Sequence, residues 1–600
     1  MNRRPRLPLY GPVVIAIGVV LLHATLTAQN PTWRPVILGK KHMVAAGHYA
    51  TARAGYRMLE QGGNALDAGV AATFASTVVE PHRAGIGGHL LIMYYEAKTG
   101  KVTCIDGSGW SGRRANAERF RDTGLPADGA LAVLVPGAVE ALLRAWEMFG
   151  KVPREKLLDP SVEMAEDGFV VSQHLHDGLR RDQETLKRFP ATERVWFPEG
   201  RPVRTSDIVV QKELAHTFRL IAQGGRDAFY RGPIARRIVE FLREGGGILE
   251  ESDFAEYKAT VSEPLFVNYR GYQITDGHRE SFRHVVLESL KILEDYDLRA
   301  MGHNSAEYIH HLSEAMKLSF ADRDAVVGDA RFPAAMERIV QDEFVRGRRQ
   351  LIRKDLAMDV PPPGDFGLGS ASISEPSVTR PAYAATREGG RVRREDQEHS
   401  QQLADGNTTY VAAIDKHGNM ASIVSSVSSN FGSKMYVDGN GGGFFLNNWL
   451  RLFRTDPSHP NVVTPRKVPR TGWNAMLVLK DGKPFMSFGT PGGDTIPQFS
   501  LQFFLNFVDF GMNVQEALEQ PGITTTVFRG QYYPNAVGKH LVASERIPQS
   551  VRDRLAEWGH NVRTHSALGL GDLKSIWLDA ERGVLQGGAA PGTNSYVMGR

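Results

Sequence analysis

Apolar and polar positions along this chain follow two periods, and the switches between them mark the elements. HLLIMYYEAKTGKVTCIDG (89–107) carries two apolar runs about a Lys-Thr-Gly turn, which predicts a pair of strands. Before it, HMVAAGHYATARAGYRMLEQGGNALDAGVAATFASTVV (42–79) predicts one strand and two helices. Gly62-Gly63 stop the first helix and Asn64 opens the second. Ala65, Ala68, Ala71 and Ala72 recur at helical spacing and allow close packing on a sheet. In AEYIHHLSEAMKLSFADRD (306–324), Ile309, Leu312, Met316 and Phe320 are spaced three, four and four, the pattern of an amphipathic helix.

Residues 357–407 break both periods. They are rich in Pro, Gly, Ser and charge and read as a mobile linker. Beyond it TTYVAAID, GNMASIVSSVSS, GWNAMLVLKDG and KPFMSFGTPGG predict strands of a second, β-rich segment. Helices are expected within 498–519 and around 548–557, and no internal repeat is visible.

Composition narrows the class. Six hundred residues exceed one ordinary core, and 42% hydrophobic with 23% charged content is that of a globular protein. Of the net charge of +4, Arg3, Arg4 and Arg6 supply three, leaving about +1 on the rest. No general basic field remains, so a nucleic-acid partner has little support. Residues 1–28 read as a signal peptide: a basic start, an apolar core from Val13 to Leu22, and small residues around Thr27-Ala28. The expected location is periplasmic or secreted, with an uncleaved membrane anchor as the alternative. Cys104, the only cysteine, sits in an apolar run as a buried structural thiol, and zinc patterns are absent.

One junction carries chemistry. LADGNTTYVAAID (403–415) runs from the linker through Gly406 and Asn407 into Thr408, Thr409 and an apolar strand. A threonine hydroxyl is a weak nucleophile unless a base stands beside it, and the α-amine of an N-terminal threonine is such a base. Thr408 reaches that state if the chain is cut before it. Thr-Thr at the head of a strand is also ordinary β-propensity.

The surroundings decide between these. DGNTTYVAAIDKHGNMASIVSSVSSNFGS resembles the self-cleavage region of the γ-glutamyltransferase (γ-glutamyltranspeptidase) family of N-terminal-nucleophile hydrolases. EQGGNALDAGVAA, AGIGGHLL, VPGAVEALLRAWEMFGKVP, NSAEYIHHLSEAMKLSFADRDAVVGD, GGFFLNNW and GTPGGD resemble family blocks in family order, over roughly residues 40–600. The resemblance implies an α+β, four-layer αββα sandwich built from two autocleaved subunits. It implies that Thr408 attacks the Asn407 carbonyl, giving a large subunit (29–407) and a small one (408–600). The freed Thr408 amine then activates its own hydroxyl toward a γ-glutamyl (glutathione-type) or related amide, and the acyl group passes to water or an acceptor amine. Ser426 falls where the family orients its nucleophile, Gly492 and Gly493 match the oxyanion amides, and Thr409 assists Thr408 by hydrogen bonding or only packs in the strand. No cofactor or metal is implied; the partners are a small amide or peptide substrate and the two subunits themselves.

Departures cluster where the family grips substrate. Ser108 stands in place of the expected carboxylate-binding arginine, with Arg113 and Arg114 nearby as replacements or as surface charge. After Asn447 in FLNNWLRLF, Leu452 stands at the position of the ammonium-binding acid, beside Arg451. Ser428 replaces an asparagine, and Thr471-Gly472 replaces a serine pair. TDGHRESFRH (275–284) replaces a Pro/Ser/Gly-rich segment. Ser108, Ser428, Asn447, Thr471 and Gly472 are therefore the candidate substrate-binding positions. A buried ion without its partner is costly, so free γ-glutamyl groups need new partners or give way to another acyl group. An acylase of the same fold is the alternative within enzymes, and an uncut extracellular binding protein the alternative outside them.

Other signals are weaker. His310, His311 and Glu314 share a helix without a third metal ligand in sequence, which favours solvation or packing. GNGGG (439–443) and GIGGH (85–89) lack complete phosphate-loop patterns and read as loop-shaping glycines. Asp322 and Asp324 at a helix end are read as a cap or an ion pair with Arg323, and no GxSxG elbow is present.

Overall fold

The computed structural model describes residues 32–277, 284–326, 337–366, 407–566 and 568–600. Two seven-stranded sheets form its centre. The first runs Ile37–Gly39, Val584–Ala589, Lys574–Asp579, Lys483–Gly489, Met476–Lys480, Tyr272–Thr275 and Val267–Tyr269. The second runs Tyr596–Gly599, Met43–Ala46, Asn407–Ile414, Met420–Ser428, His89–Glu96, Lys101–Gly107 and Thr260–Ser262. Every pairing within the two is antiparallel. Strands from both sides of residue 407 lie in each sheet, so the C-terminal segment is interleaved with the first and not set apart from it.

Three apolar cores make four layers. Successive strand residues point to opposite faces. Tyr410, Ala412 and Ile414 therefore enter the core between the sheets, with Leu91, Met93, Leu477 and Ile576. Val411 and Ala413 enter the opposite core against the helices Tyr49–Glu60, Ala65–Val79 and Ala138–Phe149. The third core lies between the other sheet and the helices Val285–Leu293, Ala306–Val326 and Ile496–Val508. The result is the expected αββα sandwich, of class α+β.

Asn64 caps its helix with a complete capping box, its side chain accepting from Asp67 N while Asp67 accepts from Asn64 N. The small residues behind it allow contact so close that a Cβ on Gly69 would lie 2.7 Å from Ile423 Cδ1. The helix Ala306–Val326 departs from its amphipathic expectation. Ile309, Leu312, Met316 and Phe320 are buried, but so are His310, His311, Ser313, Glu314 and Lys317. It is enclosed because residues 352–364 and the helix Gln549–Glu557 cover the face predicted to meet water. Thus the first residues of the expected linker are pinned: Met358 N donates to Glu314 Oε2 and Gly364 N to Asp322 Oδ1. Residues 367–406 of that linker and the signal segment 1–28 lie outside the described residues. Among the described residues no helix is long and apolar enough to cross a membrane.

Candidate active site

Asn407 opens the strand Asn407–Ile414 at an irregularity in its pairing. Thr408 pairs with Ser426, but Asn407 pairs with Ser428, so Val427 is the extra residue of a β-bulge. Val427 N turns away from the strand and donates to Arg83 O at 3.1 Å. Ser428 takes φ +85°, a left-handed conformation that a serine adopts at some cost. This bend aims Ser426 Oγ at the backbone of the neighbouring strand, where it donates to Asn407 O at 2.6 Å. Ser426 Oγ in turn accepts from Ser428 N at 2.8 Å. The carbonyl before Thr408 is thus held by a hydroxyl that is itself fixed.

The Asn407 side chain is held as well. Its Nδ2 donates to Asn430 Oδ1 at 2.6 Å, and Asn430 Nδ2 is anchored on Gly178 O and Asp182. Thr408 is buried, its partner strand is buried throughout, and Trp449 Nε1 donates to Ser426 O at 3.3 Å.

Thr409 faces the other way. Its hydroxyl donates to both oxygens of Glu80, at 3.1 and 3.2 Å, on the helix side of the sheet. Assistance to Thr408 by a direct hydrogen bond is therefore corrected, because neighbouring strand residues point to opposite faces. Glu80 is completely enclosed; burial raises its pKa against the pull of Arg83 and Lys574. Arg83 closes the network onto Asp572 at 2.6 Å.

Gly492 and Gly493 follow the strand Lys483–Gly489 and lead into the helix Ile496–Val508, with φ +135° and +58°. Among the described residues neither amide N–H meets a protein acceptor, the state expected of donors kept for an oxyanion. Thr495 Oγ1 and N both donate to Gly492 O and fix the turn. Gly493 lines one crevice with Thr471, Gly472, Trp473 and Arg323.

A model of the family described as Gamma-glutamyltranspeptidase matches residues 51–599. The chain belongs to this family. It is 32% identical over 608 aligned residues to a glutathione hydrolase proenzyme of Bacillus subtilis subsp. natto, covering 98% of this chain and 97% of that one. It is 30% identical to an acylase ACY 1 proenzyme of Pseudomonas sp. strain SE83, covering 94% of each. A crystal structure of a cephalosporin acylase from Bacillus halodurans superposes with a TM-score of 0.81 at 28% identity, over 96% of this chain and 98% of that one. Glutathione hydrolases and acylases of this family are enzymes with an N-terminal nucleophile, and this chain is one of them by fold and family.

Against that family's pattern, the altered pocket positions are filled from within. Ser108 Oγ accepts from Trp473 Nε1 at 2.8 Å, its amide is taken by Asp106 and its carbonyl by Tyr257. Trp473 packs on Trp449 at 4.7 Å between centroids, and Trp449 stacks on His89. The site of the missing arginine is thus an indole wall. Arg113 and Arg114 pair with Glu256 and Glu250 at the surface and do not reach it. Asn447 as a substrate-binding residue is corrected. It is fully buried, its Nδ2 donates to Gly87 O and Leu134 O, and its Oδ1 accepts from Leu134 N and Trp449 N. Ser428 Oγ is buried without a hydrogen-bond partner among the described residues, across the bulge from Asn407. Leu452 is buried, and Arg451 lies 4.1 Å over the Tyr532 ring. Residues 278–283 of the rewritten TDGHRESFRH segment lie outside the described residues.

Three further expectations resolve. His310 and Glu314 do gain a neighbour, His560, with all three donor atoms within 4.8 Å. All are buried, so the solvated reading is corrected and the packing role stands. The carboxylate is already held by Lys317 at 2.7 Å and by Met358 N, and a lysine ammonium there opposes a second cation. Asp322 pairs with Arg348 at 2.7 Å and Asp324 with three arginines, while Arg323 pairs with Asp494, which corrects the expected partners. The glycines of 85–89 shape a loop: a Cβ on Gly88 would lie 2.4 Å from Ser426 O. Sequence reading missed Glu80, Asn430, Trp449 and Trp473, whose roles rest on long-range contacts with no local motif.

Proposed function

We propose that this protein cuts itself between Asn407 and Thr408 and then hydrolyses small amides through an ester on Thr408. The observation that carries this is the Ser426 Oγ–Asn407 O hydrogen bond, which polarises the one carbonyl that Thr408 must attack. Thr408 Oγ adds to the Asn407 carbonyl carbon, and its proton passes to the departing nitrogen. Ser426 stabilises the oxyanion, the C–N bond breaks, and the product is an ester with a free Thr408 amine. Water opens the ester, leaving an Asn407 carboxylate and a restored hydroxyl.

In turnover the Thr408 amine takes the proton of its own hydroxyl as that oxygen attacks a substrate amide. Gly492 and Gly493 N–H groups receive the tetrahedral oxyanion. The amine half leaves with the proton, and water or an acceptor amine takes the acyl group.

The donor is an amide other than a free γ-glutamyl compound bound in the family manner. Trp473 fills the space beside Ser108, so an α-carboxylate has no cation at that position. The similarity to an acylase ACY 1 proenzyme and to a cephalosporin acylase supports a donor of this other kind. Purified protein on a denaturing gel should show a band of about 21 kDa, the 193/600 share of 66.2 kDa, beside a larger partner. A wild-type chain that stays whole ends the catalytic reading. A panel of γ-glutamyl and other acyl anilides then ranks the donors, and N-terminal sequencing of the large band tests removal of residues 1–28.

A further inference from the structure

Two side chains grip Asn407, and both are seated on one turn. Val427 N donates to Arg83 O at 3.1 Å, which accompanies the bulge that aims Ser426 Oγ at Asn407 O. Phe431 N donates to His82 O at 2.9 Å and seats the neighbouring Asn430, whose Oδ1 accepts from Asn407 Nδ2. The turn after the helix Ala65–Val79 thus offers two successive carbonyls, one to each grip.

That turn is tied from far along the chain. Within it, Arg83 N and Ala84 N donate to Glu80 O at 2.8 and 3.1 Å. From outside it, Asp572 Oδ2 accepts from Arg83 Nη1 at 2.6 Å, across 489 positions, while Glu80 Oε1 stands 3.9 Å from the same nitrogen. Arg83 and Asp572 lie on opposite sides of residue 407, so the pair joins the two segments that flank it.

Asp572 is itself fixed. Its Oδ1 accepts from Ser595 Oγ and meets Lys574 Nζ at 3.1 Å, and that ammonium also donates to Asp572 O at 2.7 Å. Burial opposes its charge, but Lys574 and Arg83 outweigh burial and hold the carboxyl below the usual carboxylate range. The side chains of Arg83 and Asp572 are only 13% and 9% exposed. A pair so enclosed keeps one geometry, because either ion displaced would lie without its counter-charge.

We propose that Asp572 is a positioning residue for self-cleavage: through Arg83 it holds the turn whose carbonyls set Ser426 and Asn430 against Asn407. The proposal rests on the self-cleavage reading above and adds to it a residue remote from the reacting atoms. Asp572 acts only through Arg83, and Arg83 only through its backbone carbonyl, so both effects on the cut must pass through Ser426 and Asn430.

Hydrogen exchange of the uncut Thr408→Ala chain reads the link without any cleavage. Adding Asp572→Asn, or separately Arg83→Gln, should speed exchange of the Val427 amide about tenfold, while the amides of Met476–Lys480 keep their rates. In chains that retain Thr408, the same two substitutions should slow appearance of the 408–600 band about tenfold. Arg83→Lys, which keeps the charge beside Asp572, should recover most of that rate. In a Ser426→Ala background the two should add less than a further twofold, since most of their effect runs through Ser426. Unchanged exchange at Val427 in either folded variant overturns the link. Faster exchange at Val427 and at Met476–Lys480 alike overturns it too and assigns the pair to the scaffold, as does slowing that multiplies in full with that of Ser426→Ala. A wild-type chain that never splits fails the self-cleavage reading instead, and the exchange rates still decide the link.

Discussion

Ser426 Oγ donates to the carbonyl oxygen of Asn407 at 2.6 Å, across a bulge that sets the two strands out of step by one residue. The residue expected to orient the nucleophile thus grips the carbonyl that precedes Thr408. Ser426→Ala should slow appearance of the 408–600 band by about a hundredfold, the usual cost of one oxyanion donor. Thr408→Ala should abolish it. Timed gels after purification give both rates, and a Ser426→Ala chain cutting at the wild-type rate refutes the role.

Asn430→Ala removes the acceptor of Asn407 Nδ2 and leaves that amide to find water in a half-buried site. The loss of about 1 kcal/mol of positioning should lower the cleavage rate several-fold, with little change in Tm. Loss of Tm without loss of rate would assign Asn430 to the scaffold.

Gly47 is where the Thr409–Glu80 contact constrains the backbone. A Cβ there would stand 2.3 Å from Thr409 Oγ1 and 2.5 Å from Glu80 Oε1. Gly47→Ala should cost about 1–3 kcal/mol and delay cleavage, since one of the groups must move. Gly347→Ala, in a helix with open space around it, should be neutral or slightly stabilising. Denaturant titrations of the two variants give the comparison.

Acid stability has a definite sign at His89. Burial pushes it down to about 3, so the folded protein keeps it neutral while the unfolded chain protonates it near pH 6.5. Its contribution is present above pH 6.5 and is lost as pH falls toward the folded value. His48, down to about 4 through burial and Arg83, and His560, down to about 2 through burial, act in the same sense. Glu80 and Glu288, raised by burial, act in the opposite sense, so the clean measurement is a difference. The stability gap between wild type and His89→Gln should shrink by about 1.4 kcal/mol per unit below pH 6.5. A gap constant from pH 7 to 5 contradicts this.

Local chemistry was the legible part of this chain. The strand that runs on from Thr408 and the capped helix pair at 49–79 follow from motifs and periodicity within short windows, and the αββα class from the resemblance to the family. What escaped depends on residues hundreds of positions apart. Glu80 reaches Thr409 across 329 positions, and Trp473 reaches Ser108 across 365. The helix 306–326 read as amphipathic because its polar side chains look solvent-bound until Arg353, Met358 and His560 are folded over them. Asn447 looked available for substrate because a sequence does not show that four backbone groups already surround it.

The interleaving of the two sheets gives the proposed cut a consequence for refolding. Tyr596–Gly599, Asn407–Ile414 and Met420–Ser428 lie between or beside strands that precede the cut. Breaking the 407–408 bond frees one end but releases neither product, because each sheet needs strands from both. The precursor folds as one chain, a first-order event; the cleaved protein, once denatured, can return only by two chains meeting. Its recovery should depend on concentration where the uncut Thr408→Ala chain does not. On the proposed cleavage, the peptide bond at 407 is a single-use assembly tether whose loss exchanges reversibility for a nucleophile.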